Sequence, residues 1–391
     1  MAYRPKDIYR GRRKFRVPLT IGLSVLAILL VGTVAMFYFL QRFLVYDQTG
    51  VSLQLPFMAS EAEEEPAEAE PTPAFVPVEV EVVYEDPDFS ELDLGGWEAL
   101  SPVKAKFIPF SAAADEVKLE AAVSALSGDY TGVVLEVKDR SGQLAWASGC
   151  DMAVAYGTAG LMDYTETVAA LHERGLTASA QLSCLADELI ATRNWTVVLR
   201  DLAGNSYRDG DGAYWLDPYN RTVRDYIEAL MTELAAMGFD EIILADLYHP
   251  VSDSAVYESP EDGEEGEDVL VSTGFQYSVT IQTTADPVNA ICQMARRLVE
   301  GMEGSETTVS ALIDEDSLRE GNAARTGQDL DIFWRIFARL YCPCESWNAM
   351  ADLETAAETL NDGDIASRFV PVCEYIPENI DSYLILPTAE G

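Results

Sequence analysis

The chain has 391 residues, 48 % of them hydrophobic, and carries 66 acidic against 26 basic side chains, a formal charge of −40. Residues 1–42 hold eight of the Lys and Arg and a single acid, so the rest of the chain sets eighteen basic groups against sixty-five acidic ones. Such a surface repels phosphate backbones and argues against a nucleic-acid partner, and six cysteines with only two histidines fit neither a disulfide scaffold nor a structural zinc site.

Seven Lys or Arg precede an uncharged run from Val17 to Leu40. At 1.5 Å per residue that run is long enough to cross a hydrocarbon core of about 30 Å. The sequence therefore predicts a cytoplasmic basic tail over 1–16, a transmembrane helix over 17–40 in the bacterial cytoplasmic membrane, and the main domain outside the cell. Residues 41–89 are acidic and proline-punctuated, too poor in apolar groups to offset their chain entropy, and read as an extracellular linker. A folded domain is expected over 90–391.

Strands and helices alternate from there. Ala105–Phe110 reads as a strand, Asp115–Leu126 as a helix and Gly132–Lys138 as a second strand ending in the turn Asp139-Arg140-Ser141-Gly142. A helix over Leu161–Arg174 closes on Gly175, and Leu176–Leu182 is the third strand. Asp217-Pro218 is expected to open a long helix through Met237, with Asp217 as its N-cap, before a fourth strand begins at Phe239. Asp286-Pro287 opens the next helix, and strands follow at Thr307–Ile313, Phe337–Tyr341, Phe369–Cys373 and Tyr383–Leu386. Eight strands separated by helices predict an α/β fold, a (β/α)8 TIM-type barrel preceded by the single transmembrane helix. The gap before the last strand is too short for a full helix, so the barrel is expected to be irregular at its C-terminal end. No GxGxxG or GxxxxGK[ST] loop follows a strand, and no cofactor or metal is implied.

In such a barrel the chemistry stands at the C-terminal ends of the strands. That places Glu136 and Asp139 after strand two, Asp187 after strand three, Asp246 with His249 after strand four, Asp314 and Glu315 after strand five, and Tyr341 at the end of strand six. Carboxylates over a barrel mouth suit glycosidic acid/base chemistry; the same residues also read as helix caps or a solvated acidic rim. Trp215, in the long loop after strand three, could offer a flat face to a sugar ring or be plain core.

Trp215-Leu216-Asp217-Pro218-Tyr219-Asn220, then Val223 and Tyr226, then Gly238-Phe239-Asp240-Glu241-Ile242 and Pro250, resemble the glycoside hydrolase-like domain family of bacterial surface and secreted proteins. Gly132–Asp139 with Gly142, His172–Gly175, Gly327-Gln328-Asp329 and Tyr341 extend the resemblance over most of residues 100–385. The resemblance implies an α-amylase-like barrel acting on glycans. One stretch departs from it. Where the family ends strand four in Phe-Asp-Tyr-x-Arg-Phe-Pro, this chain has Ala245 at the aspartate position and Tyr248 at the arginine position, with Asp246 one residue late. Side chains alternate faces along a strand, so only a bulge or the onset of the loop would return Asp246 to the family carboxylate's direction.

The resulting expectation is a membrane-anchored glycoside hydrolase acting on cell-wall or environmental polysaccharide. Asp246 would be nucleophile or base and Glu315 the acid, with Asp139 in support. Glu136, Asp187, Trp215, Tyr341 and Asp329 would bind substrate. The alternative, carried by Ala245 and Tyr248, is a catalytically inactive carbohydrate-binding or cell-envelope module on the same fold.

Overall fold

A computed structural model describes residues 44–47, 50–53, 100–126, 128–258, 269–279, 285–314, 317–318, 323–345, 348–360 and 365–387. Eight parallel strands close into a barrel. They are β1 (Lys104–Ile108), β2 (Gly132–Lys138), β3 (Thr177–Ser183), β4 (Glu241–Ala245), β5 (Thr308–Leu312), β6 (Leu340–Pro343), β7 (Phe369–Cys373) and β8 (Tyr383–Ile385). Six helices make the crossovers: α1 (Glu116–Ser124), α2 (Thr165–Glu173), α3 (Arg221–Ala236), α4 (Pro287–Glu300), α5 (Leu330–Ile336) and α6 (Ala349–Leu360). No helix separates β7 from β8, as the short gap predicts, yet the barrel closes: Tyr383, Leu384 and Ile385 pair with Lys104, Ala105 and Lys106. Separately, Leu44–Asp47 and Gly50–Leu53 form an antiparallel hairpin within the unit that precedes the barrel.

The local chemistry explains the helices. Val223, Tyr226, Ile227, Leu230, Met231 and Leu234 recur at helical spacing and are the buried stripe of α3. Its N-cap is Asn220, whose side chain accepts from the Thr222 amide, and not Asp217. Asp217 is instead wholly buried, accepting from Tyr219 and from both the amide and the hydroxyl of Ser278. Asp286 caps α4 with Pro287 in its first turn, as expected. Gly327, before α5, has φ +77°, and a Cβ there would stand 2.3 Å from the Pro287 carbonyl, so only glycine fits.

Two cores result. The larger lies between strands and helices; the smaller fills the barrel with Ala105, Val134, Ile243, Tyr341, Val370 and Leu384. At the N-terminal end of the barrel Glu241 accepts from Ser179, Ser310, Tyr341 and Arg339 at 2.5–3.3 Å.

The membrane expectation is corrected. Among the described residues no helix is long and apolar enough to cross a membrane. The longest, α3, has 16 residues, about 24 Å, and carries charge along its outer side. The run over 17–40 lies outside the described residues, and with it the single-pass topology, the membrane partner and the extracellular placement of the domain lose their support. The fold is a closed barrel with surrounding helices, and the functional reading carries no membrane anchor.

Candidate functional site

A pocket of about 400 Å³ opens at the C-terminal end of the barrel. The loop between β3 and α3 supplies Tyr207, Asp209, Gly210, Asp211 and Trp215; the segment after β4 supplies Tyr248, Pro250 and Val251. Asp314 follows β5, and Arg325 and Thr326 stand ahead of α5. Trp215 and Tyr248 meet with ring centroids 4.7 Å apart, so one wall is aromatic. An apolar ring face beside a few fixed polar groups is the usual composition of a small-ligand site.

The loop that makes this wall is folded around Asp209. Its Oδ1 accepts from the amides of Asp211 and Ala213, and its Oδ2 accepts from Trp215 Nε1 at 3.0 Å and Arg140 Nη2 at 2.7 Å. Burial raises the Asp209 carboxyl, but these donors outweigh it and hold the group below the usual carboxylate range. Arg140 is the other hub. Its guanidinium also stands 3.5 Å from Asp211 Oδ2 and 3.2 Å from Asp246 Oδ1, with the Trp215 ring centroid 5.9 Å away. Burial works against its charge, yet Asp246, then Tyr248 and Asp209, more than compensate and raise its pKa.

Asp246 is the first residue after β4 and takes a left-handed backbone, φ +51°. The onset of the loop thus re-aims the displaced carboxylate. It turns toward protein partners: Oδ2 accepts from the Ser183 hydroxyl at 2.7 Å and Oδ1 faces Arg140. Its side chain is 14 % exposed, and burial, opposed by Arg140, Ser183 and Lys138, raises its pKa. Ala245, at the family's aspartate position, is buried and brings no carboxylate.

The other sequence candidates divide sharply. Glu136 sits near Asp139 and Asp246; its Oε2 accepts from the Phe110 amide at 2.8 Å, and burial raises its pKa against that hydrogen bond. Asp139 closes its own turn, accepting from the Ser141 amide and hydroxyl and the Gln143 amide. Asp187 is wholly buried, caps the helix Glu188–Arg193 through the Ile190 amide and pairs with buried Lys138 at 3.1 Å. A Cβ on Gly142 (φ +87°) would stand 2.0 Å from its Oδ1, so that glycine makes room for the carboxylate. Asp329 caps α5, while neighbouring Gln328 braces two strand ends through Leu247, Leu312, Asp314 and Ser317. Tyr341 points to the opposite end of the barrel and donates to Glu241. Glu315 lies outside the described residues. Of the residues singled out for substrate, Trp215 alone lines the pocket, and it does so from beneath, its side chain fully buried as a core residue's would be.

Tyr207, Asp209, Arg140, Ser183 and Arg325 went unread in the sequence. Two signals were present. Arg140 and Arg325 are among eighteen basic residues in the whole acidic part of the chain, and Asp209-Gly210-Asp211-Gly212 marks a tight turn in a long loop.

No curated protein matches the chain in sequence. Among solved structures, the PgaB (BpsB) glycoside hydrolase domain from Bordetella bronchiseptica is similar over 73 % of this chain and 94 % of that one, at 12 % identity and a TM-score of 0.48. A hypothetical protein from Ruminiclostridium thermocellum matches over 52 % and 95 % at 17 % identity and a TM-score of 0.42. Aspergillus fumigatus Ega3, in complex with galactosamine, matches over 71 % and 80 % at 11 % identity and a TM-score of 0.40. Likenesses this distant carry no argument about chemistry. The family model described as "Putative glycosyl hydrolase domain" matches residues 105–332, more than half the chain and β1 through the start of α5, and the chain belongs to that family.

Proposed function

We propose that this protein is a carbohydrate-binding module built on a glycoside hydrolase barrel, with no hydrolytic turnover. The observation that carries the reading is the engagement of Asp246: one oxygen is held by Ser183 and the other faces Arg140. Glycosidic cleavage needs two carboxyl groups flanking an open position, one to protonate the leaving oxygen and one to act as nucleophile or base. Here the strand-four carboxylate is turned into an ion-pair network, and the residues lining the pocket do not include it. The anchored hydrolase expected from the sequence is therefore set aside, and its alternative is kept. A sugar ring fits against Tyr207 and Tyr248, which Trp215 backs from the core, and its hydroxyls have carboxylate and guanidinium partners at the rim.

A glycan array and a reducing-end assay, both on the full chain, test this together. The expected outcome is retention of at least one glycan class, weakened by Tyr207→Ala, with no new reducing ends on prolonged incubation. Measurable turnover that disappears in Asp246→Asn would overturn the reading.

A further inference from the structure

We infer that the pocket selects a carboxylate-bearing sugar, a uronic acid unit of an acidic glycan, and that Arg325 is the residue that reads it. This rests on the glycan-binding reading above and names the ligand class of that same pocket.

The argument is an accounting of charge around the pocket. Asp209 is met by two amides, an indole and Arg140. Asp211 stands 3.5 Å from Arg140, and Asp246 behind it is held by Ser183 and Arg140. Three carboxylates thus share the one Arg140 guanidinium, leaving it no capacity for a further anion, and Asp314, also in the lining, has a partner of its own. Arg325 is different. It lines the pocket, is exposed, and among the described residues has no hydrogen bond or ion pair. An unpartnered guanidinium stands out here, because residues 100–391 set fifty acidic side chains against eighteen basic ones.

Its backbone is fixed. The next residue, Thr326, is buried, and its carbonyl accepts the His249 amide at 2.7 Å. The side chain thus projects from a held segment, which lowers the ordering cost of binding. Five donors in a planar fork match a carboxylate bidentately, a geometry that neither a hydroxyl nor an ammonium offers. The net negative charge of the domain does not defeat this. At physiological ionic strength charges beyond about 8 Å are largely screened, so the group in the pocket outweighs the distant acids.

The test is calorimetric titration of the full chain with four oligosaccharides of equal length: an oligogalacturonate, a neutral gluco-oligosaccharide, a chitosan oligomer and a sulfated gluco-oligosaccharide. The oligogalacturonate should bind at least tenfold more tightly than the neutral sugar. Arg325→Gln should weaken the oligogalacturonate at least tenfold and the neutral sugar by less than about threefold, with the melting temperature unchanged, and Arg325→Lys should recover only part of the acidic sugar's affinity. Equal affinity for the acidic and neutral sugars, or no effect of Arg325→Gln, overturns the inference. Tighter binding of chitosan assigns the pocket to an amine through Asp211 and overturns it too. A sulfated sugar bound as well as the uronate leaves charge without planar recognition and removes the carboxylate assignment. If only the neutral sugar binds, this inference falls and the glycan-binding reading stands; if no sugar binds in the titrations or on the array, both fall.

Discussion

The two ends of the barrel solve the same problem with inverted stoichiometry. At the N-terminal end one carboxylate, Glu241, collects two serines, a tyrosine and an arginine. At the mouth one guanidinium, Arg140, collects three carboxylates, Asp209, Asp211 and Asp246. The first set is buried and complete. The second is open, with Arg140 36 % and Asp211 86 % exposed, and Arg140 Nε lies within ion-pair range of Asp246 without a well-aligned hydrogen bond. A saturated acid suits a permanent structural joint. An over-subscribed base leaves acceptor capacity at the surface, which suits a site that meets ligands.

Breaking the closed end should cost most. Glu241→Ala would take the acceptor from three hydroxyls and the counter-charge from Arg339, which would keep only the Ser367 and Ser101 carbonyls, and a loss of about 3–5 kcal/mol is expected in urea denaturation. Glycan binding by the fraction still folded should stay intact; a mutant that unfolds no more easily than the parent would show that the joint is not structural.

Acid should act next, through the segment behind the pocket wall. His249 Nδ1 donates to the Pro250 carbonyl, so Nε2 accepts from Tyr277, whose oxygen accepts from Thr273. Burial lowers its pKa to about 4 from 6.5. The unfolded chain then takes up the proton first. The contribution of the neutral imidazole is complete above about pH 6.5 and declines as pH falls toward 4, by up to about 3 kcal/mol. Glu136 and Asp246, both raised by burial, oppose this trend, since their folded forms protonate before the unfolded ones as pH falls. Subtracting the stability–pH curve of His249→Gln from that of the parent isolates the histidine. A difference curve that is flat between pH 6.5 and 4 would refute its role.

Removing the hub of the open end should be felt in binding more than in folding. Arg140→Gln frees the Asp209 loop and leaves Asp246 short of a counter-charge; a tenfold or greater loss of glycan affinity is expected, about 1.4 kcal/mol, with a smaller drop in melting temperature. Equal affinity in mutant and parent would break the contrast between the two ends. The smallest effect belongs to Asp329→Ala, which should cost about 1 kcal/mol of stability through the lost α5 cap and nothing in affinity. Any loss of affinity there would return Asp329 to the site.

The barrel was legible because each signal was local. Gly132–Lys138 and Phe369–Cys373 are unbroken apolar-rich runs, and their observed bounds coincide with those read in the sequence. Asp286-Pro287 announces α4 by capping chemistry alone. The site was not legible in the same way. An aspartate just after a strand reads alike whether it caps a helix, as Asp187 does, closes a turn, as Asp139 does, or faces a ligand. Asp217 illustrates the same degeneracy: Asp-Pro is a good helix opening, but three donors from Tyr219 and Ser278 hold that carboxylate and Asn220 takes the cap. Arg140 gained its role from partners 69 to 106 positions away, which no local pattern encodes.

The closing seam of the barrel has a kinetic consequence. β8 seals the ring by pairing Tyr383 with Lys104, and Ser382 Oγ accepts the Val103 amide across 279 positions. Until that last strand arrives, β1 offers a bare ladder of amides and carbonyls to any extended chain nearby, the kind of edge that templates intermolecular pairing. Contacts so distant in sequence also form slowly. The chain should therefore pass through an open, seven-stranded intermediate whose yield depends on concentration, and dilution during refolding should rescue it better than added salt or a lower temperature.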